Sequence, residues 1–302
     1  MNSAKALATQ RWAGLPERGT PGALRFILWF AARVGRTSMR FLLYPIAAYF
    51  AATAHSARLA SFDYLRRVHG RARHWWNVFG HFYCFATTIL DRVYLLRSDF
   101  SRFSITIHGR DLLYRQLETG KGCVLLGSHL GSFEVLRALG VSQRRFPIKV
   151  LMDIGHNQNL TRFLDGLNPE IARTVIVPDQ PDTLLRVKES LDAGFVVGML
   201  GDRATANEKT TQCQFLGAPA TFPAGPILLA AMTHCPVILF FGLYRGGNRY
   251  EIFFEHFADE IVLDRDRRTA EIQKWIQRYA DRLEHYTRLA PSNWFNFYPF
   301  WS

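Results

Sequence analysis

His129 and Glu134 stand five residues apart where the apolar run Cys123-Val124-Leu125-Leu126 gives way to the helix-like Val135-Leu136-Arg137-Ala138-Leu139. A strand ending in Gly127-Ser128-His129 and a helix opening near Glu134 put an imidazole and a carboxylate on one strand-to-helix turn. In parallel α/β sheets that edge is where ligands bind. A histidine acts as a base when one ring nitrogen is free and an acceptor holds the other, which a carboxylate one turn away can supply. The pair is therefore a candidate general base and its orienter. Ser128, Ser132 and backbone N–H groups at the helix start are candidate donors to a developing oxyanion.

A second strand-end cluster is Gly198-Met199-Leu200-Gly201-Asp202-Arg203. Here Arg203 can offer its fork of donors to a phosphate or carboxylate, while Asp202 can hold that fork or a substrate hydroxyl. If the two strands are neighbours, both motifs face one crevice, and Ser128, Ser132, Gly201, Asp202 and Arg203 become substrate-binding candidates. A third passage, Phe215 to Pro226, carries Gly217, Pro219, Pro223, Gly225 and Pro226. It reads as an irregular loop whose apolar residues can line an acyl-chain channel, with Pro223 or Pro226 starting the next helix.

The elements that must position these residues follow from periodicity. Residues Leu24 to Arg97 read as almost wholly helical. From Phe103 short apolar strands alternate with helices: strands at Ser104–Ile107, Cys123–Leu126, Ile148–Met152, Thr174–Val177, Phe195–Leu200, Val237–Phe241 and Tyr250–Phe254. Helices are expected at Asp111–Glu118, near Asn159–Leu167, and at Thr183–Leu191, Gly225–Thr233 and Thr269–Leu289. That grammar predicts an α/β fold, a mostly parallel sheet flanked by helices. The predicted organisation is a polar leader over 1–22, a helical membrane-associating segment over 23–100 and an α/β domain over 101–302.

With 302 residues, 48% of them hydrophobic, the chain can bury a sizeable core. Its 37 Lys and Arg against 25 Asp and Glu, a formal charge of +12, point to anionic partners. Arginines thicken towards the N-terminus among Phe, Leu, Trp and Tyr, which favours a membrane surface over a nucleic-acid groove. The apolar stretches Ala23–Val34 and Phe41–Ala54 are each shorter than the ~20 residues of a spanning helix. A membrane-lying hairpin is expected, with core helices covering the α/β domain as the alternative. The aromatic load of Arg71–Leu96 reads first as core packing and second as a lipid-contacting belt.

Cys84, Cys123, Cys213 and Cys235 are scattered and read as buried thiols, and His69, His74 and His81 lack metal-ligand spacing, so no metal is expected. No secretory leader is recognisable over Met1–Pro21. Neither Gly-x-Gly-x-x-Gly nor a Gly-Lys-Ser/Thr loop is present, which disfavours a nucleotide-dependent enzyme.

Taken in order, the His-x-x-x-x-Glu box at His129 and Glu134, the block Gly201-Asp202-Arg203, and Phe215-Leu216-Gly217 followed by Phe222-Pro223-x-Gly225-Pro226 and Pro236-Val237 resemble the lysophospholipid acyltransferase superfamily. The resemblance is closest to its bacterial branch of lipid A biosynthesis acyltransferases. It implies transfer of a fatty acyl group from an acyl-carrier-protein or coenzyme A thioester to a hydroxyl of a lipid or glycolipid. The expected place is the cytoplasmic face of the inner membrane, with no bound cofactor and no nucleic acid. The residues support the same chemistry: His129 takes the hydroxyl proton, Glu134 stabilises the imidazolium, and the thiolate, of pKa about 8.5, leaves. The competing classes are a basic, non-enzymatic membrane-binding protein and a thioesterase or lipid hydrolase using the same base on water.

Overall fold

The computed structural model of the protein describes residues 33–70, 75–136, 147–152, 170, 173–178, 180–204 and 208–301. The expected leader, nearly all of the first apolar stretch, His74 and the helix expected near Asn159–Leu167 lie outside them.

Three helices lead the described chain: α1 (Arg36–Thr53), α2 (His55–His69) and α3 (Trp75–Leu96). None of the described helices is long and apolar enough to cross a membrane. The alternating part follows as β1 (Ser104–His108), α4 (Arg110–Glu118), β2 (Cys123–Gly127), β3 (Ile148–Leu151), β4 (Val175–Ile176), α5 (Thr183–Asp192) and β5 (Val196–Leu200). It ends with β6 (Thr210–Phe215), β7 (Ala218–Pro223), α6 (Gly225–Thr233), β8 (Val237–Tyr244), β9 (Arg249–Ala258) and α7 (Arg268–Leu289).

Seven strands form one sheet in the order β1-β9-β8-β2-β5-β3-β4. All neighbours run parallel except the β8–β9 hairpin. This is the α/β fold that alternating strands and helices predict. Strand β2 is buried at every residue because both faces of a central parallel strand are covered. Its side chains alternate between two cores. Val124 and Leu126 pack with α2, α5, α6, α7 and the C-terminal tail, whereas Cys123 and Leu125 pack with Met39 and Leu43 of α1 and Leu90 of α3. The N-terminal helices thus contribute to the same cores as the sheet. All four cysteines are free and buried.

The Gly/Pro-rich passage differs from the loop expected for it. Residues Thr210–Pro223 form the antiparallel hairpin β6–β7, in which Phe215 pairs with Ala218 across Leu216-Gly217. Both turn residues have positive φ, 51° and 79°, as a two-residue turn matched to strand twist requires. Pro219 and Pro223 are tolerated because β7 has a partner on one side only. Phe215 and Phe222 are fully buried against Trp294, Tyr279 and Phe300, so these apolar side chains belong to the core.

Candidate active site

Strands β2 and β5 are parallel neighbours whose last paired residues are Gly127 and Leu200. His129 and Asp202 each lie two residues beyond that pair, so the register alone brings them together at the carboxyl edge of the sheet. The Nδ1 of His129 is 2.8 Å from Asp202 Oδ1, and its backbone N–H reaches both carboxylate oxygens at 3.0 Å. Because a carboxylate only accepts, Nδ1 carries the ring proton and Nε2 keeps its lone pair. The ring retains 34% of its side-chain exposure, while Asp202 has none.

The orienting carboxylate on Nδ1 is therefore Asp202, not the Glu134 that the sequence spacing suggests. Glu134 is buried in the first turn of a helix that opens at Phe133. Five residues of local spacing place it near the loop, but the strand register decides which carboxylate meets the ring.

Asp202 is a strong hydrogen-bond hub. Burial alone would raise its pKa, yet His129, Arg203 and the indole N–H of Trp294 hold it at about 2. Trp294 Nε1 donates to Asp202 Oδ2 at 2.9 Å. For His129 the balance runs the other way. Desolvation and the neighbouring Arg203 outweigh the attraction of Asp202, and Arg92 adds to them, so its pKa lies below the usual histidine value. The imidazole is thereby neutral and available as a base near pH 7.

The other sequence candidates take varied positions. Gly201 donates its N–H to the Gly127 carbonyl, and a Cβ there would meet Leu126 at 2.9 Å and the Tyr279 ring at 3.3 Å. Ser128 lies against Tyr279, whose hydroxyl donates to the Gly127 carbonyl. Ser132 is buried, and its hydroxyl has no hydrogen-bond partner among the described residues. The peptide N–H groups of Gly131 and Ser132 donate to the Asn293 and Gly242 carbonyls. With His129 N–H on Asp202, these three amides do not point at an oxyanion. Arg203 Nη2 donates to the Phe295 carbonyl at 2.6 Å, and its guanidinium stacks 5.7 Å from the Tyr298 ring centre. No hydrogen bond joins Arg203 to Asp202 among the described residues.

The sequence leaves open whether the aromatic C-terminal tail packs over the site or sits at the membrane interface, and the structure packs it against the histidine loop. Phe295 N–H donates to the His129 carbonyl, and Leu130 and Trp294 form an antiparallel bridge. The aromatic density of residues 294–301 was the available signal, but nothing local says what such a tail packs on.

A parallel sheet that brings a histidine, backed by a buried carboxylate, to its carboxyl edge presents a candidate general base where α/β folds bind their ligands. Residues 92–302 match the model of the family described as bacterial lipid A biosynthesis acyltransferase, and the chain belongs to that family of acyltransferases. No curated protein matches the chain.

Proposed function

We propose that the protein transfers a fatty acyl group from an acyl-carrier-protein or coenzyme A thioester to a hydroxyl of a lipid or glycolipid, with His129 as general base. The observation that carries this is the Asp202-held Nδ1, which leaves Nε2 of His129 without a hydrogen-bond partner among the described residues, on a side chain 34% exposed. Nε2 takes the proton of the acceptor hydroxyl as its oxygen bonds to the thioester carbonyl carbon. The tetrahedral intermediate then collapses, the C–S bond breaks, and the leaving sulfur takes the proton from Nε2–H. The products are an ester and a free thiol, with no acyl-enzyme. Asp202 stabilises the transient imidazolium, the Ser132 hydroxyl is a candidate oxyanion donor, and Arg203 with Arg92 supplies positive potential suited to an anionic head group or carrier.

The place of action proposed is the cytoplasmic face of the bacterial inner membrane. In support, α1 has no acidic residue, and Phe41 (71% exposed) and Tyr49 (63%) stand on its outer face. Trp76 of α3 is 75% exposed, and Trp76, Phe79, Tyr83 and Tyr44 form one run of ring contacts between the two helices. An apolar, aromatic surface of this kind suits the headgroup boundary of a bilayer.

The test incubates purified protein and its His129→Ala variant with labelled acyl-carrier protein, or labelled acyl coenzyme A, and total bacterial lipid. A labelled lipid that appears only with the unsubstituted protein supports the proposal and names donor and acceptor. Histidine-dependent release of free fatty acid without a labelled lipid makes the protein a thioesterase instead. No histidine-dependent product from either donor refutes both.

A further inference from the structure

Trp294 joins the histidine loop to two buried side chains that the acyl-transfer mechanism does not use. It is 1% exposed and is boxed by Tyr64, Phe215, Phe300 and Trp301 at ring-centre distances of 4.9 to 6.0 Å. Its carbonyl lies 2.9 Å from Nε2 of His81, whose Nδ1 lies 2.8 Å from the Ser61 hydroxyl. Since a carbonyl only accepts, Nε2 of His81 carries the proton and Nδ1 accepts from Ser61, so a single tautomer satisfies both bonds. His81 and Ser61 are fully buried. Neither can turn away from Trp294 without abandoning a buried polar atom.

We propose that Trp294 is a positioning residue of this site: its indole N–H fixes the carboxylate of Asp202 for His129, and His81 with Ser61 holds Trp294 in register. The inference rests on His129 being the general base. Asp202 has two oxygens with separate duties. Oδ1 takes the Nδ1 proton of His129, while Oδ2 takes the indole proton, and the His129 backbone N–H is shared between them. The indole stops the carboxylate from rotating and draws off part of its negative charge. Without it, that charge falls more heavily on the imidazole, which becomes a stronger base and stays protonated to higher pH.

The other groups facing the pair remain in place when the indole N–H is removed. Arg203 acts electrostatically on both residues and Arg92 on His129, while Tyr279 and Tyr298 lie close enough to feel the Asp202 charge. The Tyr279 hydroxyl donates to the Gly127 carbonyl, and no hydrogen bond joins Tyr298 to Asp202 among the described residues, so neither stands in for the indole N–H.

The test replaces Trp294 in the full chain with benzothienylalanine, which keeps the ring shape but has sulfur in place of N–H, beside the simpler Trp294→Phe. The His129 ring is titrated by NMR on histidine-labelled protein without substrate, its signal assigned by its loss in His129→Gln. Acyl transfer is measured in parallel. The expected result is a higher midpoint for His129 and a kcat about tenfold lower with KM within about twofold, the scale of one hydrogen bond to a charged group. An unchanged midpoint in the benzothienyl variant overturns the proposal, whatever happens to activity, because a purely structural indole would alter thermal stability and leave the titration where it was. A raised midpoint in a protein that transfers no acyl group keeps the Trp294–Asp202–His129 coupling and discards the general-base reading instead.

Discussion

Asp202 and His129, 73 residues apart in sequence, are bonded twice: the carboxylate takes both the ring Nδ1–H and the backbone N–H of the histidine. Ring and main chain are thus oriented by one buried group. An amide in its place would present an N–H where the ring needs an acceptor. Asp202→Asn is expected to lower kcat about a hundredfold or more with a small effect on KM, measured in the acyl-transfer assay.

Glu134 and Asp202 should separate in a different readout. Arg203 and Asp202 lead the charges that act on the His129 ring, with Arg92 behind them. Asp202→Asn should therefore lower the His129 titration midpoint, and Glu134→Gln should move it much less. Histidine NMR on the two variants makes the comparison, and an equal or larger shift with Glu134→Gln would show that both carboxylates act on the ring.

The pH dependence of activity follows from the sign of the same effect. A base works in its neutral form, and the pKa of His129 is depressed. The kcat/KM profile should fall on acidification with a midpoint below the ordinary histidine value of about 6.5. A limb above about 7 would contradict this.

Stability should also fall on acidification, through His81. Burial lowers its pKa to about 4, against only partial compensation by the Trp294 carbonyl. Below pH 6.5 the unfolded chain binds a proton that the folded state refuses, so the stability present above 6.5 drains away towards pH 4. Roughly 3 kcal/mol is at stake. Urea unfolding at a series of pH values should show this slope, and His81→Gln should flatten it.

Substitutions at two sites probe how the elements are locked. Gly131 has φ +73°, and a Cβ there would sit 1.9 Å from the Gly242 carbonyl oxygen. Gly131→Ala must displace the histidine loop from β8, so it should lose both activity and thermal stability. Arg36 of α1 makes a bidentate pair with fully buried Asp91 at 2.7 Å, and Tyr250 of β9 donates to the same carboxylate. Arg36→Ala leaves that charge uncompensated and should cost about 3 to 5 kcal/mol in denaturant unfolding, whereas Arg36→Met with Asp91→Leu should recover much of it.

The sequence by itself determined the α/β alternation, the buried character of β2 and β5, and the chemistry at their ends. Apolar runs and helical periodicity are local properties, and polar residues immediately after a buried strand stand out without any tertiary knowledge. The hairpin β6–β7 escaped because its prolines and glycines carry the composition of a loop, although they suit a tight turn and a strand, β7, paired on one side only. Which carboxylate serves His129 was decided only by tertiary structure. Glu134 is near in sequence, but Asp202 is near in space because β5 pairs with β2 in a register that equalises their last residues. The same holds for Trp294 and His81, 213 residues apart. Their contact depends on the tail returning across the sheet edge, where long-range packing of aromatic rings and satisfaction of buried polar groups override anything a local pattern encodes.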